Sequence, residues 1–128
     1  MDENAKPGLE RRKHLRVPVD LSVSYSVKSS AQVQIKIDGQ PRDATMVNVS
    51  EGGMALVIDC ALPEMTKLDI RFQLHPKRGR PVVVTCVGQV CYNFLLADYH
   101  RYHTGIEFIM IRDEEKRLVA DFVKSSLR

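Results

Sequence analysis

Between Val17 and Val27 every second residue is apolar: Val17, Val19, Leu21, Val23, Tyr25 and Val27 alternate with Pro18, Asp20, Ser22, Ser24 and Ser26. A repeat of two places all of these apolar side chains on one face of an extended chain, and it is out of step with the 3.6-residue period of a helix. The segment therefore reads as a strand with one buried face. The same signature returns down the chain. Val33, Ile35 and Ile37 alternate with Gln34 and Lys36 and run into Asp38-Gly39, a strong hairpin turn. A strand through Thr45, Val47 and Val49 leads to a second turn, beyond which Met54, Leu56 and Ile58 continue. Leu68, Ile70, Phe72 and Leu74 alternate with Asp69, Arg71 and Gln73. After the polar loop HPKRGRP (75–81), the stretch VVVTCVGQVCY is apolar on both faces and predicts a long central strand. TGIEFIMI (104–111) reads as the last.

About seven strands joined by short turns, with no crossover helices, predict a mainly β fold whose antiparallel sheet closes into a small barrel. Only the C-terminus reads as helical, over about 113–126. Asp113 is the expected N-cap, Glu114 and Glu115 sit where the helix dipole favours anions, and Leu118, Val119, Phe122, Val123 and Leu127 form one apolar stripe that should lie against the barrel.

A chain of 128 residues, 44% of them hydrophobic, is the size of one domain with a modest core. Residues 1–10 are polar and without periodicity and predict a mobile tail; residues 11–128 form the domain. The start, MDENAKPGLERRKHLR, has no apolar h-region, and no stretch approaches the roughly 18 apolar residues of a membrane span. The expected location is the cytosol, without membrane insertion. Cys60, Cys86 and Cys91 are too few and of odd number for a disulfide framework, and in a reducing compartment they read as small core residues. A cytosolic location also sets aside the glycosylation pattern Asn48-Val49-Ser50.

Metal and catalytic readings find little support. Cys86 and Cys91, five apart in a strand, should point to opposite faces, and neither they nor His100 and His103 match zinc spacings. Ser50 lacks a nucleophile elbow and the glycine pair lacks a following phosphate-binding Lys, so an enzyme is not expected. What remains are two polar clusters, Arg12-x3-Arg16 before the first strand and Asn48-x-Ser50-x2-Gly53 at a turn. Residues four apart point to one side in either an extended or a helical segment, so Arg12 and Arg16 can act on one ligand. Asn48 and Ser50 share a face of their strand end, and Gly53 permits a backbone dihedral or a close ligand approach that a Cβ would block. Guanidinium forks suit phosphate oxygens and the O6/N7 edge of guanine, and amide and hydroxyl groups can complete a base edge, so the clusters fit a small guanine nucleotide. The other reading of Asn48 and Ser50 is a turn that stabilises its own backbone.

In this order, RRKHLRVPV (11–19), NVSEGGMAL (48–56), VGQVCY (87–92) and TGIEF (104–108) resemble the motifs of the PilZ family, bacterial receptor domains for cyclic di-GMP. The resemblance spans nearly the whole chain and implies a six- or seven-stranded antiparallel β-barrel with a C-terminal α-helix. It implies that Arg12 and Arg16 grip the phosphates and a guanine with Arg11 as auxiliary, that Asn48 and Ser50 hydrogen-bond a guanine, and that Gly53 shapes the turn. The ligand it implies is cyclic di-GMP, with no other cofactor and no metal. Tyr92 stands where many members carry Trp, and the segment 29–43 is longer than a minimal hairpin. The implied function is a receptor or adaptor whose arginine loop, 11–16, and surface change on binding to signal to an unidentified effector protein. The alternative is a PilZ-like interaction module that does not bind nucleotide. Nucleic acid is not an expected partner, because four Tyr, four Phe and no Trp offer few stacking platforms.

Overall fold

A computed structural model of the chain describes residues 15–29, 40–98 and 100–127. The expected tail, the strand at 33–37 with its Asp38-Gly39 turn, and Arg11 and Arg12 lie outside the described residues. Within them the chain forms β1 (Val17–Ser29), β2 (Arg42–Val49), β3 (Gly53–Ile58), β4 (Lys67–Leu74), β5 (Val82–Leu95), β6 (Tyr102–Ile111) and α1 (Asp113–Ser126). The strands close an antiparallel barrel in the order β1-β2-β3-β6-β5-β4, with β4 returning to β1. No helix among the described residues is long and apolar enough to cross a membrane.

The barrel interior is filled by alternate side chains. β4 shows this most simply, with Leu68, Ile70, Phe72 and Leu74 buried and Lys67, Asp69, Arg71 and Gln73 exposed. Met54, Leu56 and Ile58 of β3 meet Met46, Val84, Val90 and Ile106 in the same core. Val119 and Val123 of α1 join this cluster, so the helix lies against the barrel as its stripe predicts.

Four local features depart from the sequence reading. In β2 the strict alternation fails, because Met46 pairs with Leu56 but Asn48 pairs with Ala55, leaving Val47 as an extra residue in a bulge. Met46 and Val49 therefore enter the core, Val47 is only half-buried and Thr45 is exposed. β5 is not buried on both faces. A closed barrel has one interior, so Val84, Cys86 and Val90 turn inward while Val83, Thr85 and Cys91 are exposed. A helix N-cap falls on Arg112 rather than Asp113, since Arg112 keeps the extended backbone of the strand it follows (φ −68°, ψ 146°) and makes no side-chain cap. Asp113, Glu114 and Glu115 occupy the first turn, and Arg112 Nη2 donates to Oε2 of the buried Glu115 at 3.1 Å. At the other end Leu127 lies beyond the helix and is 53% exposed, outside the stripe.

The cysteines are free, and they differ in setting. Cys86 points into the barrel, where burial, with smaller contributions from the nearby charges of Glu115 and Asp69, pushes its thiol up to about 12. Cys60 is half-buried with its Sγ 3.3 Å from the hydroxyl of Tyr25, and Cys91 lies on the exterior. A disulfide-exchange reagent at pH 8 should therefore label Cys91 first and Cys60 more slowly, with Cys86 reacting only on unfolding. Labelling of Cys86 as fast as Cys91 in the folded protein, read by peptide mapping, would contradict the barrel register.

Gly53, the first residue of β3, lies opposite Glu107 of β6. A Cβ built there would lie 2.0 Å from the carbonyl oxygen of Ile106 and 3.2 Å from the Cα of Glu107. Backbone cannot turn aside as a flexible side chain can, so Gly53→Ala should part the β3 and β6 ladders and cost about 1–3 kcal/mol or more, seen as a lowered urea midpoint. A midpoint equal to wild type would show that this seam opens freely.

Candidate nucleotide-binding site

Arg16 of the first cluster and Asn48 of the second meet at one end of the barrel. β1 and β2 are paired so that Val17 lies opposite Val49 and Pro18 opposite Asn48, which brings Arg16, the residue before β1, to the end of β2. Across this short gap Arg16 Nη1 donates to Asn48 Oδ1 at 3.2 Å, joining residues 32 positions apart. The bulge makes the contact possible. Asn48 lies opposite Ala55, whose neighbours Met54 and Leu56 face the core, so Asn48 is carried on the outer face.

Ser50 behaves differently. It is 4% exposed, its N–H donates to the carbonyl of Gly53 at 2.8 Å, and its hydroxyl accepts from the N–H of Gly52 at 3.1 Å while donating to the same Gly53 carbonyl at 3.4 Å. Its hydroxyl thus holds the turn, the self-stabilising arrangement that was the other reading of this motif. The N–H of Phe108 donates to the carbonyl of Gly52 at 2.9 Å and ties the turn to β6. Gly53 is required by a close approach, but of the β6 backbone rather than of the ligand that the sequence reading has in view. Arg11 and Arg12 lie outside the described residues.

A neighbouring feature was not legible in the sequence. The outer-face row running from Asn48 crosses Ala55 and Gly105 to reach Tyr92, about 14 Å away at ordinary strand spacing. Gly105 leaves room for the Tyr92 ring, which would lie 2.1 Å from any Cβ there. Tyr92 stacks on His103 (centroids 5.8 Å apart, 4° between planes) and on Phe94 (5.7 Å, 16°), and Phe94 stacks on His103 (5.1 Å, 18°). The alternation of Tyr92 and Phe94 was visible, but their partner His103 follows only from the β5–β6 register. The positive charge of Arg16 reaches this face too, where it opposes the upward push of burial and of Glu107 on the Cys91 thiol. Among the described residues no group of three or more His, Cys, Asp or Glu side chains could hold a metal ion. Chemically, the site offers a planar cationic fork beside an amide, and a stacked aromatic surface on the same face.

The sequence matches the profile of the PilZ domain over residues 10–125. No curated protein matches the chain. Among solved structures, the chain is similar to the inhibitor of motility MotI/DgrA of Bacillus subtilis, with a TM-score of 0.71 and 16% identity over 92% of this chain and 50% of that one. It is similar to the PilZ domain with c-di-GMP of YcgR from Escherichia coli, with a TM-score of 0.62 and 14% identity over 92% of both chains. PlzA of Borreliella burgdorferi in complex with c-di-GMP aligns with a TM-score of 0.53 and 17% identity over 94% of this chain and 44% of that one. The chain thus spans about half the length of MotI and less of PlzA. Identities this low speak for the fold, and the profile match over most of the chain speaks for the family: the protein belongs to the PilZ domain family.

Proposed function

We propose that the chain is a cyclic di-GMP receptor without enzymatic activity, acting as an adaptor toward a partner protein. The observation that carries this reading is the Arg16–Asn48 hydrogen bond, which sets a residue of the arginine motif beside a residue of the turn motif on one outer face. Only one guanidinium nitrogen is engaged with Asn48, so the remaining N–H groups of the fork are available to phosphate oxygens or to the O6/N7 edge of guanine. The Asn48 amide nitrogen can donate to a base acceptor. Ser50 and Gly53 serve by fixing the turn, and a direct bond from the Ser50 hydroxyl would exchange one of its turn bonds for the ligand. Arg11 and Arg12 supply further phosphate contacts, and Tyr92 borders the site as an aromatic wall. c-di-GMP in the structures of YcgR and PlzA supports the choice of ligand.

Calorimetric titration of the purified chain with cyclic di-GMP tests the reading. Arg16→Ala should weaken binding by about 10- to 150-fold, the worth of one charge-assisted hydrogen bond of about 1.5–3 kcal/mol, with little change in the melting temperature. Unchanged affinity in Arg16→Ala would remove Arg16 from the site, and no binding heat with the wild-type chain would leave the interaction-module reading. Affinity should also fall as salt is raised, because guanidinium–phosphate attraction is screened.

In this reading, ligand binding changes the arginine loop and so alters the surface offered to the partner while the barrel stays fixed. Amide hydrogen exchange over residues 8–18 should slow in a saturated sample, while β4 is unaffected. Equal exchange with and without ligand would reject the loop mechanism even where the ligand binds.

A further inference from the structure

The loop HPKRGRP carries Lys77, Arg78 and Arg80 within four positions, a run that by composition alone is solvated charge. Its setting is more specific. Pro76 and Pro81 restrict the backbone on either side, and Gly79 turns at φ 99°, a conformation that a side chain would strain. Lys77 Nζ donates to the carbonyl of Ser125 at 3.3 Å, pinning the loop to the last turn of α1. Between loop and helix lies a cleft of about 720 Å³, within the range of about 300–1,000 Å³ typical of ligand pockets. Its apolar lining is Val82, Leu118 and Phe122, all half-buried, and its acidic lining is Asp121 alone against the three cations of the loop. Among the described residues neither Arg78 nor Arg80 has an ion-pair partner. None of the cleft residues belongs to the proposed nucleotide site.

We infer that this cleft docks an acidic, amphipathic segment of a partner protein, with one or two Leu or Phe side chains on Val82, Leu118 and Phe122 and carboxylates against Arg78 and Arg80. Charge complementarity commits the occupant to an acid, because a desolvated guanidinium is satisfied by a bidentate carboxylate. The apolar lining commits it to a side-chain-bearing segment, since a bare inorganic anion would leave that lining wet. A lipid surface fits poorly, because membrane-binding apolar residues project outward, whereas these are recessed between loop and helix. The cleft also has its rim held by two prolines, a glycine turn and the Lys77 pin, so little ordering entropy is lost on binding. The inference stands apart from the cyclic di-GMP reading and does not need it.

Selection of a random peptide display library on the full-length chain tests it. Wild-type protein should enrich peptides in which at least two Asp or Glu flank a Leu or Phe. The most enriched peptide, made synthetically, should lose about 10-fold or more in affinity for the Arg78→Glu/Arg80→Glu variant, measured by fluorescence anisotropy. A Leu118→Glu variant should lose the peptide as well, and because Leu118 is half-buried its melting curve is recorded beside that of the charge-reversed variant. Cyclic di-GMP titration of both variants should match wild type within about twofold, as for independent sites. Peptides without acidic enrichment, or equal binding to the charge-reversed chain, would overturn the inference. So would retention of phosphatidylserine vesicles or of a random single-stranded oligonucleotide by Arg78 and Arg80 where no acidic peptide is selected.

Discussion

The pairing of β1 on both of its edges is the constraint on which the rest of the structure depends. Its first half is bonded to β2, its second half to β4, and over Val23–Tyr25 it serves both at once. A sheet that finds its own first strand leaves no strand without a neighbour on each side, so it presents no full-length edge as a template for a foreign strand. Closure also creates a single interior. That interior must be filled from one face of each strand, which is why the chain alternates so regularly from Val17 onward, and its wall is completed by Val119 and Val123 of the helix.

Closure of only six strands forces curvature, and here it is met by bulges. Extra residues stand at Val47 in β2, at Cys91 in β5 and at Ile109 in β6, and β1 slips against its neighbours twice more, between Pro18 and Leu21 and between Val27 and Ser29. They account for features that alternation alone leaves puzzling. Ile109 and Met110 are adjacent yet both exposed, Met110 by 70%, and Cys91 and Tyr92 both face away from the core. Two of these bulges frame the candidate site: the one at Val47 turns Asn48 outward toward Arg16, and the one at Cys91 turns Tyr92 onto Gly105. The features that bend the barrel thus also shape the face that carries the candidate site.

This explains what could be read from the sequence and what could not. β1 and β4 were legible because hydrophobic alternation there is the direct imprint of one buried face. β2 was read one residue out of phase, since a bulge changes the count of residues without leaving a mark in their types. The double-sided apolar run of β5 suggested a central strand because Val83 and Val87 look the same whether they face a second layer or solvent. Arg16 and Asn48 were legible as candidates through chemistry and spacing, but the bond between them depends on a register that no local pattern encodes. For Ser50 the sequence offered two roles, and only the distances around Gly52 and Gly53 show its hydroxyl already engaged in the turn.

Val47 has a further meaning when the chain is viewed as something inherited. Its side chain is half-buried and is not one of those packed against the core, so the position places little demand on residue type. Its place outside the ladder is another matter. Were Val47 paired as an ordinary strand residue, strict alternation beyond Met46 would carry the Asn48 amide into an apolar interior at a cost of about 2–7 kcal/mol unless hydrogen-bonded, and put Val49 outside. Loss of the residue, by contrast, would leave Asn48 opposite Ala55 and Val49 opposite Met54. Lineages of this barrel can therefore drift freely in the identity of the residue at this point, and can lose it, so long as Asn48 and Val49 keep their partners. Comparison of relatives across β2 should accordingly be anchored on the inward pair Met46 and Val49, with one residue or two between them, rather than on matching letters there.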